Sequence, residues 1–153
     1  MGEVHSDFLP DEVSTADLSA WADIMPTQFS VLCVSLFADF FVVDEAGAVH
    51  MLEVSASKIA RIAASEDEFR RRCMADLDGW LLRSLVDQCR LEGMNPSDTQ
   101  CYAFTTLPIF GGEYKSSNIW LCSWRDWISF TASVYAQTKD LPDGARVSIK
   151  IVD

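Results

Sequence analysis

Apolar residues recur at helical spacing in four parts of this chain. The clearest case is residues 124–138, where one face carries Trp124, Trp127, Ile128, Thr131, Val134, Tyr135 and Thr138. Ser123 precedes this stretch and can accept a hydrogen bond from the free amides of the first turn, with Asp126 at the capping-box position. Similar spacing, with Ser14 and Ser65 as caps, predicts further helices over residues 14–25, 65–74 and 78–92.

Apolar runs of strand length alternate with these helical segments. Residues 29–37 form a near-continuous apolar run that predicts a strand buried on both faces, and residues 40–54 predict a hairpin around Gly47. Further strands are predicted over residues 58–62, 101–106, 118–122 and the tail around 147–151. Because strands and helices come in groups, we expect α+β architecture with one mixed or mostly antiparallel sheet.

Length and composition indicate one domain. The chain has 153 residues, of which 49% are hydrophobic, enough for one good core. We expect a loosely held N-terminus over residues 1–12 and a single domain over residues 13–153.

The charge balance restricts the class of partner. Twelve Lys and Arg against 23 Asp and Glu give a net charge of −11. Such a surface repels nucleic-acid phosphates and anionic membranes, and it attracts basic partners. Charge of this kind also serves solubility alone, which is its more common role.

Cysteines and the N-terminus indicate a cytoplasmic protein. The five cysteines are odd in number and lack CxxC spacing, which favours reduced thiols over disulfides or a zinc site. Residues 1–13 lack the basic and apolar regions of an export signal. No apolar run reaches the ~20 residues that a membrane span needs.

The sequence lacks the usual catalytic constellations. His5 and His50 have no neighbours that suggest a metal site or a base–nucleophile pair, so His50 is interpreted as structural. The pair Gly111 and Gly112 suits a turn as readily as a phosphate cradle, and Glu113 beside it repels phosphate. We therefore expect no enzyme activity, no metal and no cofactor. Among the enzyme alternatives, catalysis by a cysteine nucleophile conflicts least with the sequence.

The order of motifs near the C-terminus resembles one bacterial family. Cys101-Tyr-x-Phe is followed by Pro108, by the run 111–114 (GGEY), by Asn118-Ile119, by a capped helix and by the ending 139–144 (KDLPDG). This order is similar to the C-terminal domain of type VI secretion immunity proteins that neutralise DNase toxins, several of which also carry a GAD-like region. The likeness is densest over residues 101–144, thinner over about 36–92, and absent before about residue 30.

The resemblance implies an organisation and also has departures. It implies a GAD-like part over about residues 29–92 and a C-terminal part over about residues 100–153. Trp127 stands where the family pattern usually has a histidine, so any role of that histidine is not carried over. Ala132 and Ser133 replace a frequent Gly-Gln pair.

The function implied by the resemblance is stoichiometric inhibition. The chain would be a monomer that forms a 1:1 heterodimer with a cognate DNase toxin, covering the DNA-binding or catalytic face of a basic nuclease. It would contact no nucleic acid or membrane itself. A binding or regulatory module of another function on the same scaffold is the main alternative, and a small enzyme is the third.

We expect the toxin-binding surface to combine a loop with nearby acidic side chains. Glu113, Tyr114 and Lys115 offer a charge, an aromatic anchor and a second polar group in successive positions. Further candidates are the acidic and aromatic residues Asp39, Asp44, Glu45, Trp120 and Asp126. The competing interpretation is that the glycines only turn the chain and Tyr114 only packs.

Overall fold

Four strands form an antiparallel meander at the centre of the fold. The computed structural model describes residues 7–141 of the chain. The strands β1 (Phe29–Val34), β2 (Phe40–Asp44), β3 (Val49–Glu53) and β4 (Lys58–Ala63) pair in this order. Each neighbouring pair is antiparallel, as short connections allow. The predicted hairpin and the strand expected over residues 58–62 are confirmed.

Two further strands form a separate sheet, so the prediction of one sheet is wrong. Within residues 7–141, β5 (Gln100–Phe104) and β6 (Ile119–Ser123) pair only with each other. The backbone N–H of Tyr102 in β5 donates to the carbonyl of Leu36 at 2.8 Å, outside any strand of the first sheet. β5 therefore joins the first sheet at a turn and not along a strand ladder.

The turn that ends β1 explains this division. The hydroxyl of Ser35 accepts hydrogen bonds from the backbone N–H groups of Phe37 and Asp39, both at 3.2 Å, and Ala38 has a left-handed φ of 61°. These contacts replace the extended backbone that the apolar run 29–37 predicts. β1 therefore ends at Val34, and the following residues cannot extend its ladder.

The helices that follow the meander agree largely with the predicted segments. They are α1 (Glu66–Ala75), α2 (Leu77–Leu81), α3 (Arg83–Leu91) and α4 (Trp124–Thr138). The side chains of Ser65 and Ser123 accept from the backbone N–H groups of Glu68 and Asp126, as their capping-box positions predict. The predicted helix 78–92 is divided into α2 and α3 because Leu82 has a φ of 54°.

The N-terminal segment is not the predicted α-helix over residues 14–25. It forms short 3-10 turns at Asp11–Thr15 and Ser19–Trp21. The Ser14 hydroxyl donates to the carbonyl of Asp11 at 2.6 Å, and Asp17 accepts from the N–H of Ser19, so the expected capping box does not form. These local hydrogen bonds compete with the helix ladder.

The same segment covers the open edge of β1. Phe8 forms a bridge with Ser35, and the N–H of Leu9 donates to the carbonyl of Val34 at 2.8 Å. Leu9 is buried, so this residue of the N-terminus expected to be loose is instead packed, and Val13, the first residue of the expected domain, is buried as well. The segment protects an edge strand that would otherwise offer unpaired backbone groups to other chains.

Side chains cover both faces of the four-stranded sheet. The larger cluster lies between one face of the sheet, β5–β6, α4 and the N-terminal segment, and it includes Trp21 stacked on Tyr135 at 5.0 Å. The smaller cluster lies on the other face against α1 and α2, where Phe41 contacts Phe69. Because the larger cluster draws on both sheets, the fold is a single α+β domain, as predicted.

Two sequence expectations remain to be placed. Within the described residues, none of the helices combines the length and the apolar content that crossing a membrane requires. The predicted tail strand around residues 147–151, and residues 142–144 of the KDLPDG ending, lie outside the described residues.

Replacement of Ser65 by alanine tests the helix assignments. Ser65 caps α1, so S65A is expected to lower the free energy of unfolding by about 0.5–2 kcal/mol in a urea titration. S14A is the matched control because Ser14 caps no α-helix in the structure, and its effect is expected to stay within about 0.5 kcal/mol. Equal losses in the two variants would contradict this N-terminal structure.

Candidate functional site

The loop that connects β5 and β6, residues 105–118, is held by one asparagine. The Asn118 side chain accepts from the N–H of Thr106 at 2.8 Å and donates to the carbonyl oxygens of Thr106 and Glu113, both at 2.9 Å. The hydroxyl of Ser116 also donates a hydrogen bond to the carboxylate of Glu92. This hydrogen bond and one from the Gln88 side chain lower the pKa of Glu92. The 105–118 loop is therefore fixed to its own base and to the end of α3.

The two glycines of the 105–118 loop have different backbone roles. Gly111 has a φ of 87°, a conformation that side chains rarely adopt. Gly112 approaches the backbone so closely that a Cβ atom would lie 1.8 Å from the carbonyl oxygen of Thr106. The glycines therefore shape the loop, as the competing interpretation holds.

Large apolar side chains nevertheless stay exposed on this fixed loop. Ile109, Phe110 and Tyr114 are 39%, 40% and 51% exposed. Tyr114 contacts the ring of Phe104 edge-on at 5.4 Å, so it is both packed and accessible. Sequence reasoning missed Ile109 and Phe110; the signal was an apolar pair directly before the glycines in an otherwise polar loop.

The charged residues of the loop pair with each other. The carboxylate of Glu113 lies 2.9 Å from the ammonium group of Lys115, and both side chains are 67% exposed. This hydrogen bond raises the pKa of Lys115. The pair adds polar groups beside Tyr114 without adding net charge.

Asp39 lies at the end of the hairpin that meets the 105–118 loop. It precedes β2 and stands opposite Glu53 at the end of β3, since Phe40 pairs with Leu52. The short 3-10 turns Val54–Ala56 and Pro108–Phe110 pack against each other at this end. The structure therefore brings Asp39, but not the whole predicted acidic set, to the loop.

Burial gives Asp39 unusual chemistry. Its side chain is 7% exposed, and its Oδ1 atom has no hydrogen-bond partner among the described residues. Burial raises the pKa of Asp39 well above its usual range, the charge of Glu53 adds to this effect, and a hydrogen bond from the N–H of Val54 opposes it. Burial, Glu53 and Asp39 likewise raise the pKa of Tyr114.

Asp44 and Glu45 lie at the other end of the hairpin. Asp44 lies four positions after Phe40 along β2, a distance of about 13 Å at ~3.3 Å per residue. The carboxylate of Asp44 accepts from the backbone N–H groups of Ala46 and Ala48, and Glu45 is exposed. These acidic residues shape or flank the turn and do not join the loop.

Trp120 and Asp126 are also separated from Tyr114. Trp120 is 46% exposed and pairs with Ala103 across the small sheet, whereas the next pair along the strands is Phe104 with Ile119. Successive pairs point to opposite faces of a sheet, so Trp120 lies on the face opposite to Phe104, the residue that Tyr114 contacts. Asp126 is exposed in the first turn of α4, at the far end of β6 from the loop. The predicted site residues thus divide among several surfaces.

His50 is paired with a carboxylate, and the five cysteines lie in surroundings that raise their pKa values. The Nε2 atom of His50 lies 2.8 Å from Oδ2 of Asp44. Burial raises the pKa values of Cys33, Cys73, Cys89, Cys101 and Cys122, to about 12 for Cys33 and about 11 for Cys89. Thiols of this kind are poor nucleophiles because the thiolate is the reactive form. Within residues 7–141, His, Cys, Asp and Glu side chains form no group of three or more suited to a metal ion.

The variant D39N is expected to change how stability depends on pH. Because burial raises the folded-state pKa of Asp39, its protonated carboxyl favours the folded state. This contribution to the free energy of unfolding is complete below the unfolded pKa of ~3.9 and is lost as pH rises through the folded pKa. The asparagine of D39N does not titrate. The free energy of unfolding of D39N should therefore exceed that of wild type by an amount that grows with pH to about 1–3 kcal/mol, the usual cost of a buried group without a partner.

Urea unfolding between acid and mildly alkaline pH measures the difference. E45Q is the control, because Glu45 is an exposed carboxylate whose loss should be nearly neutral at every pH. A constant difference between D39N and wild type across the pH range would show that Asp39 titrates normally.

Comparison with known families adds an independent finding. Residues 64–134 match the family model described as T6SS immunity protein Tdi1, C-terminal. The matched stretch covers just under half of the chain and contains α1, α2, α3, both strands of the small sheet and the whole 105–118 loop. No curated protein matches the chain.

Proposed function

We propose that the chain is a type VI secretion immunity protein, as the family matched by residues 64–134 supports, and that it neutralises a DNase toxin by forming a stoichiometric complex. In this proposal one copy of the chain binds one copy of the toxin. The complex covers the DNA-binding or catalytic face of the nuclease and so excludes DNA. Any metal required for DNA cleavage belongs to the toxin.

The observation that carries the proposal is the fixed 105–118 loop with exposed apolar side chains. Ile109, Phe110 and Tyr114 lie close together in sequence and are each more than a third exposed. Aromatic anchors on a preorganised loop supply binding energy with a small cost in conformational entropy. The loop also lies inside the stretch matched to the immunity family.

Charge supports a basic partner. Residues 1–57 contain ten Asp and Glu residues and no Lys or Arg, so nearly all of the net charge of −11 comes from this part of the chain. A nuclease surface that binds DNA is positively charged, and opposite potentials accelerate association. The loop provides contact, and the acidic residues 1–57 provide attraction over distance.

A binding module of another function is the second candidate. The same exposed loop would then recognise a different protein, and no nuclease would be inhibited. A small enzyme is a weaker candidate because the thiol pKa values are raised and His50 is held by Asp44. The immunity family also suggests a role without catalysis.

A nuclease-inhibition assay tests the proposal. Where a neighbouring reading frame ends in a nuclease domain, that domain is purified and mixed with the chain, and plasmid cleavage is followed as the molar ratio increases. We expect cleavage to end near a ratio of about one, and association to slow as salt is raised because exposed charges are screened. Undiminished cleavage at a large excess of the chain would reject DNase inhibition in favour of the second candidate.

The double variant E113K/Y114A tests the loop as the binding surface. If Glu113 and Tyr114 are interface anchors, binding to the nuclease should weaken by at least ~1–2 kcal/mol, measured by calorimetry. Thermal melting confirms that the variant is folded, and M74A is the control because Met74 is an exposed apolar side chain of α1. Unchanged affinity would move the site elsewhere, first to the outer face of α4 around Asp126, Phe130 and Gln137.

A further inference from the structure

Two carboxyl groups and an aromatic ring lie where the open end of the hairpin contacts the 105–118 loop. Asp39 and Glu53 stand opposite each other at the ends of β2 and β3. The turn that follows Glu53, Val54–Ala56, packs against the Pro108–Phe110 turn of the loop that carries Tyr114, and burial and both carboxyl groups raise the pKa of Tyr114. Within the described residues, the buried carboxyl of Asp39 keeps one oxygen without a hydrogen-bond partner. This end of the hairpin therefore combines the partly exposed carboxyl of Glu53 with a buried carboxyl that is incompletely satisfied.

The cation that pairs with Glu53 is held loosely. The ammonium group of Lys58 lies 3.6 Å from Oε1 of Glu53, and its side chain is 62% exposed. An ion pair of this length and exposure contributes little stability. The Glu53 side chain is itself 26% exposed, so a stronger cation can reach it from solvent.

Tyr114 supplies an aromatic surface beside these carboxyls. The Tyr114 ring contacts Phe104 edge-on, with an angle of 79° between the ring planes. About half of the side chain remains exposed at 51%. Aromatic faces attract cations, and a planar guanidinium can stack on a ring while it donates hydrogen bonds to a carboxylate.

We propose that Glu53 and Tyr114, with the carboxyl of Asp39 behind them, form a receptor for one arginine side chain of a protein partner. The guanidinium displaces Lys58 from Glu53, stacks on Tyr114 and introduces positive charge next to Asp39. Arginine fits better than lysine because its planar group makes the stacking contact and the paired hydrogen bonds together. This inference rests on the proposed function for the identity of the partner, which is a basic nuclease that supplies the arginine.

An NMR titration without any toxin tests the receptor itself. The ¹³C-labelled chain is titrated with Nα-acetylarginine amide, and Nα-acetylcitrulline amide serves as the neutral probe of matched shape. We expect saturable shifts of the Tyr114 ring and Glu53 carboxyl signals with the arginine probe, and none with the citrulline probe.

Variants assign the response to the named residues. E53Q should weaken binding of the arginine probe by at least about threefold, and K58A should tighten it by up to about fivefold because Lys58 no longer competes. E66Q is the matched control and should bind like wild type, since Glu66 is an exposed carboxylate of α1 that is paired with Arg70 and lies outside the proposed receptor. Melting temperatures confirm that each variant is folded.

Several results would overturn the receptor. These are equal shifts with both probes, no shift with either probe, unchanged binding in E53Q, or weaker binding in K58A. The titration contains no nuclease, so its failure leaves the cleavage assay unaffected. Conversely, a positive titration together with undiminished DNA cleavage would retain the receptor and reject the DNase partner.

Discussion

The turn over residues 35–39 is the constraint on which the arrangement of the two sheets depends. In this turn the Ser35 hydroxyl accepts hydrogen bonds from two backbone N–H groups that would otherwise need a strand partner. These hydrogen bonds allow Ala38 to adopt a left-handed conformation. The turn offers the carbonyl of Leu36 to β5 and places Asp39 directly before β2, at the hairpin end that meets the 105–118 loop. The small sheet and the candidate site are both positioned from this one feature.

Much of the secondary structure could be predicted because local signals agreed with the tertiary fold. Residues 124–138 had a cap, an apolar stripe and no competing turn, and α4 has these bounds in the structure. The predicted helix 14–25 failed because Ser14 and Asp17 form short-range hydrogen bonds that favour 3-10 turns. Its apolar residues Leu18, Trp21 and Met25 are buried all the same, because burial does not require a regular helix.

The candidate site was predicted less completely, because its members meet through tertiary packing. Sequence proximity placed Glu113, Tyr114 and Lys115 together, but nothing local shows that Asp39 and Glu53 reach the same end of the hairpin as the loop. The division into two sheets was equally invisible, since β5 has the composition of a central strand and is buried along its length from Cys101 to Phe104. Strand composition reports burial, and it does not specify which strand is the neighbour.

Two kinds of unsatisfied polar group in this fold call for different explanations. The indole N–H groups of Trp21 and Trp127 lack partners within the described residues, but each large ring contributes apolar contact area that offsets the loss. Asp39 has no such compensation, because a buried carboxyl supplies little apolar surface and carries a larger desolvation cost. A group of this kind lowers stability unless a cation comes close, and binding a cation then releases part of that cost. The 105–118 loop, which carries the exposed ring of Tyr114, packs at the same end of the hairpin, so this unsatisfied carboxyl adjoins the surface proposed to bind a basic partner.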